Sequence, residues 1–107
     1  MPIRGQITWG RTNPFRDPRL AHFDDAVVGF MRGKLPQGWK GNRVWENRWG
    51  DLPERHYGHY REFYMGDSQM SGDLRVVIGR NGEVYLSDNH HHDWWQIVGK
   101  WWNRPNW

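Results

Sequence analysis

Apolar residues recur along this chain at two different spacings. Leu20, Phe23, Val27, Phe30 and Met31 follow one another at three- and four-residue steps, which gathers them on one face of a helix. Asp17 and Pro18 supply a favoured N-cap and first helical residue, and Gly33 supplies a C-terminal cap. The opposite face carries His22, Asp24, Asp25 and Arg32.

Beyond the helix the pattern shortens to alternation. Arg43-Val44-Trp45 predicts a short strand, reached through a Gly- and Pro-containing connection at 35–42 and followed by a polar loop at 46–53. Residues 58–65 place Tyr60, Glu62 and Tyr64 on one strand face and His59, Arg61 and Phe63 on the other. Residues 74–79 and 83–88 flank Asn81-Gly82, a two-residue hairpin signal. With those two residues as the whole loop, Arg75 pairs with Asp88 and Asp73 with His90, which puts Arg75 and His90 on a common face. A last strand is predicted at 94–98. Residues 1–17 are rich in Gly, Pro, Arg and Asn around Ile7-Thr8-Trp9 and read as an irregular lead-in with at most a brief strand; 99–107 form a Trp-rich tail for which packing is expected.

The 107 residues suit one domain, 1–107, with a single modest core. Fifteen Lys and Arg against twelve acids give a net charge of +3, which is compatible with a phosphate-bearing partner. Cysteine is absent, so packing of nine Trp, four Tyr and four Phe replaces disulfides. No apolar run is long enough for a signal peptide or a membrane span, so the expectation is a soluble domain without membrane contact. An export signal, if the protein is secreted, was removed or belongs to a larger parent chain.

Three side chains on successive short strands supply a metal-free route to RNA cleavage. Glu62 is placed to accept a proton from a ribose 2′-hydroxyl, His90 to give one to the departing 5′-oxygen, and Arg75 to hold charge on phosphorus. Each has a plainer reading. Glu62 could pair with Arg61 or Lys40 on the surface, and Arg75 with Asp88. His90 and His92, joined by His56 or His59, could form a metal site, although four well-spaced structural ligands are not present.

The order of Val44-Trp45-Glu46-Asn47-Arg48, Leu52-Pro53, Tyr57-Gly58-His59-Tyr60-Arg61-Glu62-Phe63, Arg75-Val76-Val77-Ile78-Gly79 and Asp88-Asn89-His90 resembles the microbial ribonuclease superfamily, closest to its streptomycete branch. The likeness covers somewhat more than half of the chain. It implies an α+β fold, one main N-terminal helix packed on a twisted antiparallel sheet. It also implies Glu62 as general base, Arg75 as phosphate-binding arginine and His90 as general acid. Glu46, Asn47 and Arg48 match the loop whose backbone grips guanine, and Trp49, Tyr60 and His91 complete the expected substrate-binding set. Three positions depart from the family pattern. Trp49 stands where a guanine-pairing glutamate is usual, Ser71 where a second active-site arginine is common, and His91 where a tyrosine is usual.

The resulting expectation is a monomeric endoribonuclease acting on single-stranded RNA without a cofactor, through a 2′,3′-cyclic phosphate. The resemblance further implies a secreted nuclease or delivered toxin domain, neutralised by an acidic inhibitor of the barstar kind. The rival expectations are a non-catalytic binding module on the same fold and a metal-dependent nuclease using the histidine cluster.

Overall fold

The alternating stretches pair edge to edge into one six-stranded sheet, seen in a computed structural model that describes residues 3–8, 20, 23–65, 74–87, 93–98 and 102–107. The elements in chain order are β1 (Ile3–Thr8), α1 (Phe23–Met31), β2 (Trp39–Trp45), β3 (Tyr60–Met65), β4 (Leu74–Gly79), β5 (Val84–Ser87) and β6 (Trp94–Val98). Their order across the sheet is β1-β6-β5-β4-β3-β2. Strands β2 to β6 form an antiparallel meander, while β1 lies parallel to β6.

The expected all-antiparallel sheet is therefore corrected to a mixed one, and the helix is the second element, not the first. The lead-in contains a full strand instead of a brief one. Its polar composition concealed it: Arg4 and Gln6 face outward on an edge strand, and only Ile7 is fully committed to the core.

Helix α1 buries Phe23, Ala26, Val27, Phe30 and Met31 against Phe63, Val76, Ile78, Val84, Leu86 and Ile97 from one face of the sheet. Asp24 and Asp25 in its first turn complement the helix dipole. The C-terminus closes as the glycine predicts. Gly33 sits at φ 76°, its N–H donates to Phe30 O at 3.0 Å, and Lys34 N–H donates to Gly29 O at 2.8 Å, the paired bonds of a Schellman cap. The described helix begins at Phe23, with Leu20 buried ahead of it; Asp17 and Pro18 lie outside the described residues.

The tail packs on the same layer. Trp102 meets the Phe23 ring edge-on at 6.0 Å, Trp107 lies 6.1 Å from Phe63 and under the Arg61 guanidinium, and Asn106 N–H donates to Met31 O. The sheet's other face carries a smaller apolar cluster of Leu52, Tyr60, Val77, Tyr85 and Trp94.

Besides the register shift between Ile3 and Gly5 in β1, two one-residue irregularities set which side chains of β2 and β5 share that second face. The β4–β5 loop has three residues, not two: Gly82 N–H donates to Gly79 O, Gly79 N–H donates to Glu83 O, and Gly82 takes φ 89°, a turn closed by a glycine bulge. Arg75 consequently pairs with Ser87 and not with Asp88. That register removes the pairing by which Arg75 and His90 were expected to share a face, and Asp73, Asp88 and His90 themselves lie outside the described residues. The second irregularity is in β2, which extends four residues beyond the predicted 43–45 strand. Between Gly41, opposite Phe63, and Arg43, opposite Glu62, Asn42 is an inserted residue.

Candidate active site

Strand β3, one in from the β2 edge, carries Glu62 between flanking strands that contribute a cation each. The register sets Glu62 opposite Val77 and Tyr64 opposite Arg75, so Glu62 and Arg75 are diagonal neighbours on one face, a relationship that spans about 7–8 Å between backbones. Both are buried: Glu62 is 2% exposed and Arg75 0%. Arg75 stacks its guanidinium 5.0 Å from the Tyr64 ring centroid and donates from Nη1 to Leu74 O at 3.2 Å. A side chain that is always charged is buried only where its surroundings hold it, and those contacts fix the guanidinium in place before any ligand arrives.

On the other side of Glu62, Arg43 brings Nη2 to 3.5 Å from Glu62 Oε1. These two residues, with Val44, Trp45, Glu46, Asn47, Arg48 and Trp49, line an open pocket of about 480 Å³. Glu62 forms its buried floor and Trp49, 79% exposed, its outer rim. Arg48 and Glu46 make an exposed ion pair of 3.7 Å.

Solved structures similar to this chain include ribonucleases. One describes ribonuclease Sa2 in complexes with mononucleotides; it is 30% identical, overlaps 71% of this chain and 81% of that one, and superposes with a TM-score of 0.58. Ribonuclease Sa2 with guanosine-2′-cyclophosphate matches at 28% identity over 75% and 88% of the two chains with a TM-score of 0.59. Ribonuclease Sa2 with 3′-GMP matches at 28% over 79% and 91% with a TM-score of 0.58. This chain belongs to the microbial ribonuclease superfamily. No family model matches its sequence, and no curated protein matches it.

Against the pattern of the microbial ribonucleases, the structure gathers Glu62, Glu46, Asn47, Arg48 and Trp49 around one pocket and sets Arg75 beside Glu62 on the same sheet face. Asn47 turns its side chain inward: Nδ2 donates to Leu52 O at 2.8 Å, and Oδ1 accepts from Leu52 N–H at 3.1 Å. Its amide thus shapes the loop. Tyr60 does not line the pocket. It is 3% exposed in the lower apolar cluster, its hydroxyl donates to Pro53 O at 2.6 Å, and burial pushes its ionisation well above the usual phenolic range. Its contribution to the pocket is to support Trp45, whose ring it meets edge-on at 6.0 Å.

His90 and His91 lie outside the described residues, as does Ser71. His59 is engaged elsewhere, with Nε2 2.8 Å from the Glu83 carboxylate. Burial alone raises the Glu83 carboxyl, but the bond to the His59 ring and the backbone N–H groups around it, including Asn81 N–H at 2.9 Å, outweigh it and hold the carboxyl below its ordinary range. Arg43 is the pocket residue that the sequence reading did not single out. A strand arginine is unremarkable by pattern, and only the Gly41-Asn42 pair ahead of it marks the bulge that aims it.

Proposed function

We propose that the protein is an endoribonuclease that cleaves single-stranded RNA by metal-independent transesterification. The observation that carries this reading is the buried Glu62 carboxylate on the floor of an open pocket, flanked on the adjacent strand by the fixed guanidinium of Arg75. In this reading Glu62 accepts the 2′-hydroxyl proton as the 2′-oxygen attacks phosphorus. Arg75 stabilises the charge that builds on the non-bridging oxygens. The bond from phosphorus to the 5′-oxygen breaks, and His90 protonates that oxygen as it leaves. The products are a 2′,3′-cyclic phosphate and a free 5′-hydroxyl. Water opens the cycle in a second step with the acid and base roles exchanged.

The base sits against the 46–49 loop and the Trp49 ring, so recognition combines backbone groups with stacking. The likeness to ribonucleases bound to mononucleotides supports a nucleotide ligand. We also propose release from the producing cell and control by an acidic inhibitor that covers the arginine-lined pocket.

Incubation of the purified protein with synthetic single-stranded RNA, with and without a chelator, tests the reaction. Cleavage that leaves a 2′,3′-cyclic terminus and survives chelation is expected. Loss of activity on chelation would move the chemistry to a metal ion, and no cleavage in either condition would leave a binding module.

A further inference from the structure

The β2 bulge shifts the register of the residues after it, setting Trp45 opposite Tyr60 and Arg43 opposite Glu62. Without Asn42 as an extra residue, the pairing of Gly41 with Phe63 would set residue 42 opposite Glu62; with it, Arg43 takes that place. The arrangement is conformationally demanding. Gly41 adopts φ 107° and Asn42 φ 66°, both in the left-handed region that glycine enters freely and asparagine more readily than most residues. A Cβ at Gly41 would lie 2.7 Å from the Glu62 carbonyl oxygen, so the two strands also approach more closely here than a side chain allows. Bulges commonly serve to re-aim a side chain beside a functional site.

The side chain so aimed runs from solvent to the pocket floor. Arg43 is 52% exposed along its side chain and Glu62 3%, with 3.5 Å between nitrogen and oxygen. An ion pair open to water on one partner adds little to stability. Its position matters more. The 2′-oxygen that Glu62 activates must come within bonding distance of phosphorus, so a non-bridging oxygen passes close to the same carboxylate. A guanidinium already touching Glu62, with five donors in a planar fork, reaches both groups at once. Arg43 on β2 and Arg75 on β4 flank β3 from its two sides, and the position four residues before Arg75 carries Ser71 instead of an arginine.

We propose that Arg43 is a catalytic residue of this enzyme, a second phosphate-binding arginine supplied by β2. The proposal rests on the ribonuclease reading above. Its test compares the parent with Arg43→Gln, Arg43→Lys and Glu62→Gln, measuring cleavage of a synthetic RNA and the binding of a nucleoside 3′-phosphate against the bare nucleoside. Arg43→Gln is expected to lower kcat about 100-fold. It is also expected to weaken the nucleoside 3′-phosphate about tenfold while leaving the nucleoside unchanged, with Arg43→Lys recovering part of both losses. A purely structural role would not separate phosphate from nucleoside. Parental kcat and an unchanged phosphate preference in Arg43→Gln, alongside an inactive Glu62→Gln, overturn the role of Arg43 alone. If the parent cuts no RNA, or Glu62→Gln cuts as well as the parent, the ribonuclease reading fails and this proposal falls with it. Should Arg43→Gln not fold, the phosphate-to-nucleoside ratio of Arg43→Lys decides: an unchanged ratio rejects the contact.

Discussion

Asn47 and Leu52 are joined by two side-chain-to-backbone hydrogen bonds, one in each direction, that close the loop forming one wall of the pocket. The left-handed backbone of Asn47, at φ 54°, and the bond from Gly50 N–H to Asn47 O complete the turn. Asn47→Ala removes both side-chain bonds and leaves the Leu52 amide partly buried without its acceptor. A loss of about 1–3 kcal/mol in unfolding free energy is expected, read from denaturant titration. Because the loop is proposed to hold the base, KM for RNA should rise more than kcat falls. An unchanged KM would place base contact outside 46–49.

Glu62→Gln keeps the size of the side chain and removes its capacity to accept a proton. Cleavage is expected to fall by roughly two to four orders of magnitude while binding of a nucleoside 3′-phosphate persists. Parental cleavage by this variant would assign the base to another residue.

Much of this site was legible before the fold was. The alternation of 58–65 put Phe63 and Glu62 on opposite faces, and the structure turns the Phe63 face to the helix and the Glu62 face to the pocket, because a strand with one side against a helix must segregate its residues. Trp94–Val98 emerged with its predicted bounds. What escaped were features of single-residue size or of long range. A three-residue loop and a two-residue loop both accommodate Asn81-Gly82, yet they pair Arg75 with different partners. Gly41 and Asn42 look like a connection, when they are a bulge within a strand. The pairing of β1 with β6 joins the two ends of the chain, and nothing local in Arg4-Gly5-Gln6 announces a parallel neighbour about ninety residues away.

Gly41→Ala tests the bulge independently of Arg43. The added methyl meets the Glu62 carbonyl oxygen at 2.7 Å and the Phe63 Cα at 3.2 Å, both backbone atoms that cannot swing aside, at a φ unsuited to alanine. Expected outcomes are a loss of more than about 1 kcal/mol in stability and reduced RNA cleavage at temperatures where the variant is still folded. Full activity in a folded Gly41→Ala would show that the bulge does not matter for the site.

The His59–Glu83 pair gives the stability an acid-side dependence. The folded Glu83 carboxyl titrates below its ordinary range, so the unfolded chain binds its proton first as pH falls. The pair's contribution is therefore fully present above the unfolded value and is lost as pH drops through the folded one. Glu83→Gln should lower Tm near neutrality, and the gap from the parent should close progressively toward acid pH. A gap that stays constant from neutral to strongly acid pH would contradict the assignment.

Trp49 bears on base preference, where this chain departs most from the family it belongs to. A carboxylate at this place accepts hydrogen bonds from guanine, and a site built that way rejects bases that leave its acceptor unpaired. An indole accepts no such bonds. It presents a flat face, 79% exposed at the pocket rim, on which any base can stack for about 1–3 kcal/mol with little regard to its edge. The neighbouring Glu46 carboxylate is engaged in an exposed ion pair with Arg48 at 3.7 Å. Cleavage of four synthetic RNAs differing only in the base before the scissile bond should therefore show similar kcat/KM values. Trp49→Glu should restore a bias toward guanine, and Trp49→Ala should raise KM for all four together, since a stacking surface is lost without regard to base. Strict cleavage after guanine by the parent, retained in Trp49→Ala, would place recognition in the 46–48 backbone and remove Trp49 from it.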